Sequence, residues 1–114
     1  MKLWVDDVRP ASEGYLWCQS VNAAKLAIQI CEDAHDGLFD KPEGIEVLDL
    51  DHDAGNYAND GGDYIRLLDW LEETGRNYPI RIHSMNPVGV ANMRSIIQRN
   101  RWVEVKNRKD ISLI

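Results

Sequence analysis

The chain has 114 residues, 44% of them hydrophobic and 28% charged, with a formal net charge of −6. Those proportions belong to a folded globular protein, and one domain over residues 1–114 is expected. The acidic balance excludes a nonspecific duplex-DNA binder, which needs a basic face, and no apolar run is long enough to span a bilayer, so a cytoplasmic protein without membrane contact is expected.

The predicted elements alternate between strand and helix. Lys2 to Val5 reads as a first strand, followed by a loop from Asp6 to Gly14 that contains Pro10. Tyr15 to Gln19 reads as a second strand. Ser20 or Asn22 can then cap a helix in which Ala24, Ala27, Ile28 and Cys31 recur at helical spacing. Cys18 and Cys31 match no zinc or redox spacing and read as buried free thiols. His35, near Asp33 and Asp36, reads as structural.

Asp36 to Gly44 is a loop by its glycines and proline. Ile45 to Leu50 is a third strand, and Asp53 to Gly62 a polar, glycine-rich loop. A second helix carries Tyr64, Leu67, Leu68 and Leu71 on one face, with Gly75 beyond its end. Pro79 to His83 is a fourth strand. Asn86 caps a third helix with Pro87 in its first turn, and Val90, Met93, Ile96 and Ile97 form its buried side. Trp102 to Val105 is a fifth strand. Such alternation indicates a parallel sheet. The link between the first two strands is only about nine residues, shorter than the usual parallel crossover, so either an extended segment replaces a helix there, which is the favoured expectation, or the second strand is antiparallel.

Three strands run into chemistry-bearing residues. The first ends at Asp6-Asp7, the third at Asp51-His52-Asp53, and the fourth at His83-Ser84. In an open parallel sheet, ligands bind at the carboxyl ends of the strands. Carboxylates brought together there repel unless they share a cation or a proton, and a hard ion such as Mg²⁺ or Mn²⁺ takes oxygen ligands of this kind. Asp49 alternates with Asp51 and either shares its side or serves as an internal hydrogen-bond partner. His52 and His83 suit proton transfer near neutral pH, or ligation of a transition metal. Arg9 offers a fork for phosphate, against a surface salt bridge to Asp6, Asp53 or Glu13 as the plainer alternative. Ser84 and Asn86 lie at a helix start that suits phosphate or simply starts the helix. The Asn59–Gly62 stretch is read as a turn, with closure over a ligand as the alternative. The late basic residues, Arg94 to Lys109, form a short patch or a solvated face.

The acidic pair, the later aspartate and the hydroxyl residue resemble the receiver domains of two-component signalling, at Asp6-Asp7, Asp51 and Ser84. The fuller strings are LWVDDVRP over residues 3–10, LDHD over 50–53 and IHSMNPVG over 82–89. They resemble a divergent branch, the cyclic-phosphate processing receiver-like family, over nearly the whole chain. The resemblance implies a flavodoxin-like, three-layer α/β sandwich with a five-stranded, mostly parallel sheet of order 2-1-3-4-5; the sequence departs from receivers in adding His52 and His83 and in lacking the first and last helices of a full receiver. It implies a metal-assisted phosphoesterase acting on a cyclic phosphate of RNA ends or nucleotides. Asp6, Asp7 and Asp51 would hold the ion, His52, His83 and Asp51 would act in catalysis with Asp53 beside them, and Arg9, Ser84 and Asn86 would bind phosphate. The partner would be a small phosphorylated ligand or an RNA end. Two rival readings are a noncatalytic module that binds a cyclic nucleotide or a protein, and a switch phosphorylated on Asp51, with Lys106 as its phosphate-pairing lysine.

Overall fold

The computed structural model describes residues 1–35 and 44–106. The loop expected from Asp36 and the basic residues Arg108 and Lys109 fall outside the described residues, apart from Gly44. Among the described residues, four short strands form one sheet: β1 (Lys2–Val5), β2 (Tyr15–Cys18), β3 (Val47–Leu50) and β4 (Ile80–Ile82). Their order is β2-β1-β3-β4 and every pairing is parallel. The helices are α1 (Val21–His35), α2 (Ile65–Glu73) and α3 (Pro87–Arg99).

Local chemistry sets the helix ends. The Ser20 hydroxyl accepts the Ala23 N–H at 3.0 Å, and the Asn86 side chain accepts that of Gly89 at 3.0 Å, each satisfying one orphan donor of a first turn. Gly75 follows α2 with φ +69°, a conformation that favours glycine.

The fold is an α/β receiver-like fold with a parallel sheet, but two details differ from expectation. The fifth strand is reduced to a single bridge between Ile80 and Glu104. The Ile80 N–H reaches the Val103 carbonyl and the Val105 N–H reaches that of Ile80, which holds the segment beside β4 without building a longer ladder. The second difference is the number of layers. Leu3, Val5, Leu48, Leu50 and Ile80 form one core with residues of all three helices, including Ala24, Ile28, Leu68 and Ile97. Trp4 and Asp49 alternate to the opposite face of the sheet. Among the described residues, therefore, the architecture has two layers rather than three.

Crossover handedness explains this. The links β2 to β3, β3 to β4 and β4 to the Glu104 bridge all step in one direction across the sheet. Right-handed crossovers put their helices on one face. Only β1 to β2 steps the other way, and it has no helix. Because β2 pairs parallel to β1, an extended segment takes its place, and indoles hold it: Trp4 Nε1 donates to the Arg9 carbonyl at 2.8 Å and Trp17 Nε1 to that of Asp6 at 2.7 Å.

The expected basic patch is in part a set of ion pairs. Arg94 forks onto Glu104, and Arg99 onto Glu72, with a closest contact of 2.7 Å in each. Hydrogen bonds from Arg99 and Asn100 hold the Glu72 carboxyl down to about 2. The sign follows from linkage: this stabilisation is present above the ordinary carboxylate range and is lost as pH falls through about 2. Glu72→Gln should lower the melting temperature at neutral pH, with the gap closing between pH 5 and pH 2. Added salt should shrink the effect, because both groups are partly solvated. A pH series of thermal melts checks it; a gap that persists unchanged at pH 2 would contradict it.

Candidate metal and phosphate site

The strand register builds the site. Val5 pairs with Leu50, and Leu50 with Ile82, so the next residues, Asp6, Asp51 and His83, emerge side by side at the carboxyl edge. The ladder continues one step into them, with the Asp51 N–H on the Val5 carbonyl at 2.9 Å and that of His83 on the Leu50 carbonyl at 2.8 Å.

Asp6, Asp7 and Asp51 each offer one carboxylate oxygen, and the three oxygens lie within 4.8 Å of one another. Oxygens bound to one octahedral ion are separated by at most roughly 4.2 Å, twice the Mg–O bond, so a small contraction would seat Mg²⁺ or Mn²⁺. The donor set is all oxygen, which suits these hard ions. The loop after β3 closes against the same carboxylates: at Gly55, φ +55°, a side chain would overlap the Asp7 carboxylate.

The two adjacent aspartates differ in environment. Asp6 is buried, yet its carboxyl is displaced downward. Burial pushes it up, and the N–H groups of Arg9 and Val8, with the His83 ring, outweigh that. Asp7 is held above the ordinary carboxylate range, first by burial and then by the charges of Asp6 and Asp51. One ion would relieve this repulsion.

The histidines have different partners. His52 Nδ1 lies 2.8 Å from Asp53 Oδ1, and its ring rests on α3 at Gly89, where any side chain would strike it. Asp53 is exposed. With Asp53 accepting from Nδ1–H, a neutral ring carries its lone pair on Nε2. His83 is enclosed, with its side chain 6% exposed. Its Nδ1 lies 2.6 Å from Asp49 Oδ1 and its Nε2 2.9 Å from Asp6 Oδ2. Trp4 stacks on the ring at 3.9 Å and 7°. Asp49 is buried and also accepts Arg81 Nη1, at 3.1 and 3.2 Å. Both nitrogens of His83 are thus engaged by carboxylates in this arrangement, whereas His52 Nε2 has no hydrogen bond among the described residues.

Arg9 is exposed, and its guanidinium makes no ion pair among the described residues, so the surface salt bridges weighed against its phosphate role are not formed. Its backbone instead binds Asp6. Ser84 Oγ accepts the Asn86 N–H at 3.1 Å and Asn86 caps α3, so both side chains shape the helix start. The Asn86 amide stands 3.5 Å from His52 Nδ1, which brings that start beside the His52 ring. The Asn59–Gly62 stretch is anchored, since Asp60 binds Ser20 and Asn22 at the start of α1. Cys18 and Cys31 are buried, and burial pushes the Cys18 thiol up to about 11.

Reasoning from sequence missed Arg81. The signal available was alternation, which puts Arg81 and His83 on one side of β4 as it puts Asp49 and Asp51 on one side of β3.

No helix among the described residues is long and apolar enough to cross a membrane. A search of curated proteins and a search of solved structures each gave no match. The family model described as the cyclic-phosphate processing receiver domain matches residues 1–99, a span that includes Asp6, Asp7, Asp51, His52 and His83. The chain belongs to the cyclic-phosphate processing receiver domain family.

Proposed function

We propose that this domain is a metal-assisted phosphoesterase that opens a cyclic phosphate on an RNA end or a nucleotide. The carboxylate triad of Asp6, Asp7 and Asp51 is the observation that carries the reading. Three acids crowded at one sheet edge invite a cation, and Mg²⁺ or Mn²⁺ bound there would neutralise charge developing on the phosphate.

The remaining roles fall to side chains around the triad. Arg9 holds a nonbridging phosphate oxygen pair, and Ser84, Asn86 and the N–H groups of the first α3 turn flank it. His52, its tautomer set by Asp53, takes a proton from the attacking water at Nε2. The resulting imidazolium can return that proton to the leaving ribose oxygen. His83 contributes through Asp6, which it contacts directly.

The test is a screen of 2′,3′-cyclic nucleotides and cyclic dinucleotides, with and without divalent metal. Metal-dependent hydrolysis of at least one is expected. Tight binding of one without turnover of any would overturn the enzyme reading in favour of a binding module. The phosphate seat has its own test. Arg9→Ala should weaken cyclic-nucleotide binding, and Arg9→Lys should restore only part of it, because lysine keeps the charge without the fork. Full restoration by lysine contradicts bidentate recognition, and no effect of either change removes Arg9 from the site.

A further inference from the structure

We propose that Asp49 and Arg81 are positioning residues for the carboxylate triad and act on it through His83; this rests on the reading of the triad as a metal site. Asp49 is fully buried in the middle of β3. A carboxylate there is costly, and a well-packed apolar residue usually serves stability as well or better than a buried ion pair. The pair with Arg81 therefore needs a reason other than stability, and its place in the sheet supplies one.

The register puts Trp4, Asp49 and Arg81 in one row across β1, β3 and β4. Two residues further along the same face comes the row of Asp6, Asp51 and His83. The first row is thus the floor beneath the second. Arg81 holds the Asp49 carboxylate, Asp49 holds His83 Nδ1, and Trp4 fixes the plane of the ring. His83 Nε2 is then delivered to Asp6 Oδ2 at 2.9 Å.

The consequence for Asp6 is specific. An ionised carboxylate has about four lone-pair positions. Two on Asp6 Oδ1 accept the Val8 and Arg9 N–H groups, at 3.0 and 2.9 Å. One on Oδ2 faces His83. The position left for an ion is the second one on Oδ2. Its direction is set by the contact that Asp49 and Arg81 hold in place.

The test is Mn²⁺ titration by calorimetry on the full chain, comparing wild type with Asp49→Asn, Arg81→Met and Arg81→Lys. Loss of groups behind a ligand typically costs about 10–100-fold in metal affinity. Asp49→Asn and Arg81→Met should each show a loss of that size. Arg81→Lys should stay near wild type, because a single Arg81 nitrogen makes both contacts to Asp49 and an ammonium can stand in for it. Nitrogen-15 spectra of the His83 ring should change in the two weakened variants and not in Arg81→Lys. Thermal melts identify the variants that fold, and Arg81→Met, at a partly exposed position, decides the matter if Asp49→Asn does not. A folded Asp49→Asn or Arg81→Met that binds Mn²⁺ like wild type overturns the proposal while leaving the metal site intact. A wild type that binds no Mn²⁺ overturns the metal reading itself, and the proposal with it.

Discussion

Asp51→Asn should abolish measurable Mn²⁺ binding and raise the melting temperature of the metal-free protein. Both effects come from one cause. The three carboxylate oxygens lie within 4.8 Å of one another. Like charges at that distance repel by roughly 3 kcal/mol per pair at an effective dielectric constant near 20, before shared protons reduce the sum. Removing one charge relieves the metal-free fold and takes away the attraction that an ion would find. The pH dependence has a definite sign. Burial and the charges of Asp6 and Asp51 raise the Asp7 carboxyl above its ordinary 3.8, so its proton is released at a cost that the fold bears at neutral pH. That cost fades as pH falls through the raised value and is gone below the ordinary one. The advantage of Asp51→Asn should accordingly be greatest at neutral pH and shrink in acid. Saturating Mn²⁺ should reverse the order, stabilising wild type alone. Calorimetry with melts at two pH values checks each part, and equal Mn²⁺ affinity in both proteins would take Asp51 out of the metal role.

The second large effect is expected at His52. His52→Ala should lose about 10²–10⁴-fold in turnover, the usual range for a general acid–base group, while Mn²⁺ affinity stays near that of wild type. The ring lies outside the carboxylate triad, on α3 at Gly89, with Asp53 Oδ1 2.8 Å and the Asn86 amide 3.5 Å from its Nδ1. The melting temperature should move little. Asp53→Asn should cost less than His52→Ala, since it loosens the tautomer without removing the base. Single-turnover kinetics separates the two. A His52→Ala variant with normal turnover and a much lower melting temperature would make His52 a packing residue.

The elements legible in the sequence were those with strong local signals. Asn86 followed by Pro87 fixed the start of α3, Gly75 marked the end of α2, and the apolar spacing of Leu67, Leu68 and Leu71 placed its buried face. The carboxyl-edge cluster was legible for the same reason, since the Asp6-Asp7 pair and Asp51 begin where buried strands end. Features that depend on register across the sheet were not. Trp102 to Val105 has the composition of a strand, yet only one bridge beside β4 forms. The number of layers follows from the direction in which each crossover steps, which no single segment encodes. The pairing of Arg81 with Asp49 joins residues 32 apart in sequence, and only the β3–β4 register brings them together. The two histidines look alike in sequence, and their difference arises from which face of which strand end each leaves.

Phosphorus NMR on a 2′,3′-cyclic nucleotide incubated with the purified protein shows whether the domain opens the ring. With Mg²⁺ present, the cyclic-phosphate resonance should give way to that of a single monoester isomer. Chelation of the metal, or Asp51→Asn, should stop the conversion. A cyclic-phosphate signal that the Mg²⁺-loaded protein leaves unchanged across the nucleotide series, or one that it converts equally well after chelation, would contradict the account.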